Sequence, residues 1–342
     1  MRGLAILVAI CSLLVAAPGA LGAAGEVSHY PTDRLTTPVN ILATPDGAIW
    51  TIDSANHNGP APLLVKFDTA GTVQASIQLP HFTLGLALAY GADGNLWVLQ
   101  SDDGFMTQNG WVNKVPLNAT QTSDVVAYPY HGRTNGSLSF AAGPDGRLWF
   151  GLNHDMAAMT TGGDVTYYST PAAGTISSVV AGADGNLWYA DGLHVFRMLT
   201  AGVTDPTAFA IDGNGVGAMA WGPDGNLWYT QTSPAAVARM TTAGSVTTFP
   251  LDDAGALPIG IAAGPDGQMW FVENNTDKIA SIGLSGTPLH EYPNGRDNDG
   301  VQAIVAGADH RMWFDEFNFS GVGAITTDAA VIAPPAGGGT TG

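Results

Sequence analysis

Residues 258–293 read PIGIAAGPDGQMWFVENNTDKIASIGLSGTPLHEYP, and one unit of the fold can be read from them strand by strand. Ile259 to Ala263 is small and apolar, as suits an innermost strand crowded around an axis. Gly264-Pro265-Asp266-Gly267 is a tight hairpin turn, in which Pro presets φ and Gly supplies the left-handed position. Gln268 to Glu273, with its apolar middle, is a strand of the kind buried between neighbouring sheets. Lys278 to Ile282 is the third strand, and Thr287 to Tyr292 the fourth, after the turn at Ser285-Gly286. The period is two throughout, so no helix is required.

The turn and its tryptophan recur along the chain as PDGAIW, ADGNLW, PDGRLW, ADGNLW, PDGNLW, PDGQMW and ADHRMW. Each tryptophan (Trp50, Trp97, Trp149, Trp188, Trp228, Trp270, Trp313) follows its turn aspartate by four residues, at spacings of 47, 52, 39, 40, 42 and 43. A period of roughly 40 to 50 with strand content identifies propeller blades of four strands. An aromatic-or-leucine ending to the fourth strand appears at Tyr30, Leu79, Tyr128, Tyr168, Phe209, Phe249 and Tyr292, the first of them before the first blade. The last blade has a third strand around Gly323 to Thr327 but no fourth, so Val27 to Tyr30 must complete it. The fold predicted is all-β: a seven-bladed β-propeller of four-stranded blades, closed by the N-terminal strand joining the last blade, which removes exposed edges.

Composition bounds the function. The 29 Asp+Glu against 11 Lys+Arg give a net charge of -18, which excludes a phosphate-reading nucleic-acid binder. Met1 to Ala23, with Arg2, an apolar run from Leu4 to Ala17 and small residues ending in Ala23, reads as a secretory signal peptide, so the protein is expected to be secreted or periplasmic. No other segment is apolar enough for membrane insertion. The propeller then occupies 24–332, and 333–342 is a flexible Gly/Pro/Thr-rich tail. The lone Cys11 lies in the leader, which removes thiol chemistry, and a ring without free edges is expected to be a monomer.

The motif carried by Pro258, Gly260, Ile261, Gly264-Pro265-Asp266-Gly267, Trp270-Phe271, Glu273, Asn274 and Lys278-Ile279 resembles that of the virginiamycin B lyase (streptogramin lyase) propellers. The resemblance spans the mature chain. It implies a site at one end of the channel, where a magnesium ion and a histidine base open a cyclic depsipeptide by elimination across its ester. In that family the histidine stands seven residues before the turn aspartate. Here those positions are Val39, Leu86, Leu138, Ser177, Gly217, Ile259 and Gln302, so a base must come from elsewhere.

Three residues after the blade tryptophans stand Asp53, Gln100, Leu152, Asp191, Gln231, Glu273 and Glu316. Strand direction brings these ends to one mouth of the channel. There Asp53, Asp191, Glu273 and Glu316 could hold a hard cation such as Mg²⁺ or Ca²⁺, with no organic cofactor indicated; the plainer reading is strand ends that are solvated or bonded to backbone N–H groups. Of the loop histidines on that face, His131 and His154 are the candidate bases. Gln100, Gln231, His57 and the aromatic Trp111 are candidate ligand contacts. Three functions stay open: a binder of a small molecule or peptide at the channel mouth, with or without a divalent cation; a metal-dependent C–O lyase or lactone-opening enzyme; and a protein-interaction platform.

Overall fold

A computed structural model describes residues 24–54, 61–81, 83–101, 109–132, 139–201, 208–211 and 213–327, apart from the side chain of Asn214. The leader 1–23, the tail 333–342, His57, Leu138 and most of the insertion after Ser101 lie outside the described residues. Seven separate four-stranded antiparallel sheets follow one another in chain order, and the sheet of Ile304–Ala306, Arg311–Glu316 and Gly321–Thr326 takes Val27–Pro31 as its outermost strand. The seven-bladed propeller and its closure by the N-terminal strand are as predicted. Blade 6 consists of Pro258–Ala263, Met269–Glu273, Lys278–Ile282 and Leu289–Pro293. Its fourth strand starts two residues late because Gly283 N–H bonds Pro288 O, which draws Thr287 and Pro288 into the turn. No described helix is long and apolar enough to cross a membrane.

The four-residue spacing from aspartate to tryptophan has a direct cause. In six blades the indole N–H donates to the turn aspartate, at 3.0 Å in Trp97–Asp93 and 3.1 Å in Trp270–Asp266. A glycine two residues before the aspartate leaves room: a Cβ at Gly264 would lie 2.4 Å from the Trp270 ring and 2.5 Å from Asp266 Oδ1. Blade 1 has Thr44 there, and the hydroxyl relays the contact, accepting from Trp50 Nε1 at 3.2 Å and donating to Asp46 at 2.5 Å. In the seventh turn His310 takes the glycine's left-handed place at φ 62°.

The tryptophans are buried and stack on a fourth-strand aromatic of their own blade in six cases, from Tyr30–Trp313 at 5.1 Å to Trp97–Tyr128 at 5.8 Å. Blade 1 corrects the sequence reading: Val73–Gln78 ends before Leu79, and Ile77, opposite Leu64, fills the aromatic position. A cation lies within cation–π distance of the ring in six blades, namely Lys66, Lys114, Arg147, Arg197, Arg239 and Arg311. Five of these reach across to a carbonyl in the turn between third and fourth strands of the following blade: Leu117, Thr200, Thr242, Leu284 and Thr69. Five of the chain's 11 basic residues are thus committed to seams on one face, the turn face.

Candidate functional site

Antiparallel pairing puts the ends of the second strands, and the loops that enter each blade from its predecessor, on the opposite face. Except in blade 6, the residue three after each tryptophan meets that entering loop. Asp53 accepts from Thr36 N at 3.0 Å and Thr37 N at 2.6 Å. Gln100 donates to His81 O at 3.2 Å. Leu152 packs against Gly132, whose Cβ would lie 3.0 Å from it. Asp191 accepts from Ala173 N at 3.1 Å, and from His194 N at 2.8 Å within its own blade. Gln231 lies against Gly213 and donates to Pro234 O at 3.3 Å. Backbone donors hold Asp191 below the usual carboxylate range despite its burial.

Asp53 and Asp191 therefore bind backbone N–H groups, the plainer of the two sequence readings. Glu273 is fully buried, accepts from Thr276 Oγ1 at 2.9 Å, and has its Oε1 without a partner. Burial pushes its pKa up, with Glu291 and Asp253 adding to the shift. Glu316 is also fully buried, but both of its oxygens are occupied, one by His29 Nδ1 and the other by Arg296 Nη1 at 2.8 Å. Each of the four carboxylates has its own local partner, and among the described residues no three His, Cys, Asp or Glu side chains are grouped as a metal site. The set does not fit one shared cation.

Among the described residues, titratable groups gather in blade 7, where His29 comes from the closing strand. Asp299 is buried, with Oδ2 accepting from Asn294 Nδ2 at 3.1 Å and Oδ1 unpartnered. Asp315 accepts from Gln302 N and Ala303 N, both at 2.8 Å, while its buried Oδ2 has no partner. Burial pushes Asp299, Asp315 and Glu316 each up to about 7; Glu316 adds to the shift of Asp299, and Arg296 opposes those of Asp299 and Glu316. Burial and the Arg296 charge lower the pKa of His29. Sequence reading passed over His29, Arg296, Asp299 and Asp315. One signal was available for Asp315: it stands two after its tryptophan, where the other blades carry Ile52, Leu99, Gly151, Ala190, Thr230 and Val272.

The remaining candidates are dispersed. His131 Nδ1 lies 2.6 Å from Asn109 Oδ1, and His154 Nδ1 is 3.1 Å from Gly174 O. Among the described residues neither is hydrogen-bonded to any of the four carboxylates. Trp111 stacks on His81 with ring centroids 3.6 Å apart and planes 8° from parallel. Both rings are half-buried, and Gln100, paired with Trp111 across the sheet, is buried beside them. Of the histidine positions implied by the resemblance, Val39 and Leu86 are buried, and a Cβ at Gly217 would come within 3.0 Å of Ile259 Cα.

The sequence profile of the Virginiamycin B lyase family matches residues 85–334. A search of curated proteins finds no match. Among solved structures, a streptogramin B lyase superposes with a TM-score of 0.75 at 20% identity, covering 88% of this chain and 97% of that one. A catalytically inactive virginiamycin B lyase from Staphylococcus aureus, solved with quinupristin, gives 0.75 at 21% identity over 88% and 99%. The hydrazine synthase of Kuenenia stuttgartiensis gives 0.70 at 16% over 88% and 98%, so likeness at this level speaks for the fold and not for one chemistry. With the family profile covering the blades from the second onward and the seven-bladed ring closed as described, the chain belongs to the Virginiamycin B lyase family.

Proposed function

We propose that this is an exported propeller that binds a small molecule or peptide, such as a cyclic depsipeptide, on its loop face. The observation that carries this reading is the His81–Trp111 stack, a half-exposed aromatic shelf backed by buried Gln100 on the face where the entering loops gather. Stacked aromatics offer a rigid apolar surface with polar edges, which is how ligand sites orient flat or cyclic molecules. The histidine of the family motif is missing from its first-strand positions, so binding is favoured over ring opening.

The lyase reading has one observation in its favour. His29 and Glu316 are in direct contact in blade 7, and burial brings the carboxyl up to about 7, where a group can exchange protons at neutral pH. Calorimetric titration with quinupristin, run before and after EDTA and repeated with added Mg²⁺ or Ca²⁺, separates the readings. Saturable binding that Trp111→Ala weakens by tenfold or more, with the ligand recovered intact, is the expected result. Recovery of opened ligand, abolished by Glu316→Gln, establishes the lyase instead; no binding under any condition removes both.

A further inference from the structure

In six blades a cation reaches the tryptophan from one of two places. It is either the third-strand residue opposite the tryptophan, as in Lys66, Lys114, Arg197 and Arg239, or the residue two before it, as in Arg147 and Arg311. Where one place holds the long cation the other holds a smaller residue: Ala48, Asn95, Asn186 and Asn226 in the first group, Ala158 and Ala324 in the second. Blade 6 has Ser281 in the first place and Gln268 in the second, and among the described residues no lysine or arginine lies over Trp270. The space that a lysine or arginine takes in the other blades is here left to a hydroxymethyl group and an amide.

The missing charge is felt by the turn aspartate as well as by the ring. In five blades that aspartate forms an ion pair with the same cation: Asp46 with Lys66 at 2.9 Å, Asp93 with Lys114 at 2.8 Å, Asp145 with Arg147 at 2.6 Å, Asp224 with Arg239 at 3.7 Å and Asp309 with Arg311 at 2.7 Å. Among the described residues Asp266 receives neutral donors alone, namely Trp270 Nε1 at 3.1 and 3.0 Å, Gln268 N at 3.1 Å and Gln268 Nε2 at 3.2 Å. Gln268 Oε1 and Ser281 Oγ are both buried without a partner, and Ser281 is fully buried. A buried oxygen left in this way costs free energy that a bound donor or ion would recover. Strand register puts these groups together: Ser281 stands directly opposite Trp270, Gln268 is its diagonal neighbour on the same side of the sheet, and the Gln268 amide bonds the carboxylate that holds the indole. The exposed His290, opposite Ser281 in the fourth strand, leans on Tyr292 with ring centroids 6.3 Å apart.

We propose that blade 6 binds an alkali cation, potassium or sodium, through the Asp266 carboxylate, Gln268 Oε1 and Ser281 Oγ beside the Trp270 ring. The three donors are oxygens, which suit a hard cation, and the face of an indole attracts positive charge. Charge selects the valence. One carboxylate with two neutral oxygens balances a single positive charge, whereas calcium sites gather several carboxylates and magnesium sheds its water reluctantly. Asp266 and Gln268 are half-buried, so the ion enters from the solvent on the turn face without parting the blades. The bound ion does for blade 6 what a side chain does in the other blades: it offsets the turn aspartate and lies against the ring. The site is on the face opposite the His81–Trp111 shelf and is independent of any ligand bound there.

Thermal unfolding of the protein with potassium, sodium or N-methylglucammonium chloride as the only salt tests the site. Ionic strength is held constant so that general screening is the same in each. Tm is expected to be higher by about 2 °C or more in an alkali salt than in N-methylglucammonium, with an effect that saturates as alkali replaces the organic cation. Whichever of potassium and sodium saturates at the lower concentration is the ion the site prefers. Gln268→Arg, which copies blades 3 and 7, should raise Tm in N-methylglucammonium and remove the alkali effect; Ser281→Lys, which copies blades 1 and 2, makes the same test should the first variant fail to fold. Ser281→Ala should weaken the apparent affinity by about fivefold, the loss of one oxygen donor, while His290→Gln leaves it unchanged. Equal Tm in all three salts overturns the proposal and leaves the two oxygens to bound water. An alkali effect that survives Gln268→Arg, or one that disappears in His290→Gln, overturns it by placing the ion elsewhere.

Discussion

Arg311 donates to the Tyr30 hydroxyl at 2.7 Å, so an arginine of the last blade holds the aromatic residue of the N-terminal strand flat against Trp313. The same guanidinium reaches Thr69 O in blade 1. Three parts of the chain separated by the whole length of the ring meet at one side chain, and closure depends on it. Arg311→Ala is expected to cost about 2–4 kcal/mol, through a lost charge-assisted hydrogen bond, lost stacking and an unpaired half-buried hydroxyl. Tyr30→Phe should cost about 1 kcal/mol. Urea unfolding monitored by tryptophan fluorescence decides it; an Arg311→Ala protein as stable as wild type would show that closure rests on the strand pairing alone.

Gly264→Ala puts a methyl group inside contact distance of both Trp270 and Asp266. The expected loss is about 1–3 kcal/mol, the usual cost of overpacking. Gly185, whose Cβ would meet nothing within 4 Å but whose φ is 78°, provides the contrast: there alanine pays for backbone strain with no clash. Differential scanning calorimetry of the two variants should rank Gly264→Ala as the less stable.

Asp53 accepts backbone N–H groups of the loop entering blade 1, so Asp53→Ala should lower stability by about 1–2 kcal/mol, as the loss of a capping carboxylate does. If Asp53 were instead a cation ligand, adding Mg²⁺ would raise the Tm of wild type and not that of Asp53→Ala. The expected result is that 5 to 10 mM Mg²⁺, about a hundredfold above a 0.1 mM affinity, moves neither.

Asp299, Asp315 and Glu316 have folded-state pKa values raised to about 7 by burial. An acid raised on folding binds more protons in the native than in the unfolded chain between its two pKa values. Stability must therefore fall as pH rises from about 4 to about 7 and level off above that. Asp46, Asp93 and Asp145 are held below their ordinary values by hydrogen bonds and neighbouring cations, so they act in the opposite sense below pH 4. The stability maximum is expected near pH 4 to 5, and Asp315→Asn should flatten the decline toward pH 7. Urea midpoints across that range that rise with pH would show these carboxyls to be ionised in the native state.

The blades were legible because their determinants are local. A turn aspartate reaches a tryptophan four residues on in the same hairpin, and the glycine before it follows from that contact, so the phrase repeats wherever the geometry does. Even closure could be read, since the chain has one fourth-strand ending too many at its start and none at its end. The loop-face cluster was not legible for the opposite reason. Glu316 and His29 are separated by 287 positions, and nothing near either residue marks the other as its partner. Asp53 and Glu273 occupy equivalent positions, yet one accepts backbone N–H groups and the other has an unpartnered oxygen, a difference set by entering loops that the repeat does not encode. Leu79 was misassigned because blade 1 alone puts an aliphatic residue, Ile77, where the pattern has an aromatic ring.

The six cations laid over blade tryptophans have an electrical consequence. Five of them form ion pairs on the turn face with the aspartates of their own hairpins, so part of that face's acidic charge is offset. Exposed Asp33, Asp252, Asp253 and Asp297 are on the other face, and the net charge of -18 is carried unevenly. Acidic charge is thereby offset by cations more on the turn face than on the loop face. A cationic solute approaching in dilute salt is drawn to the loop face before any contact forms, and an anionic one is turned away.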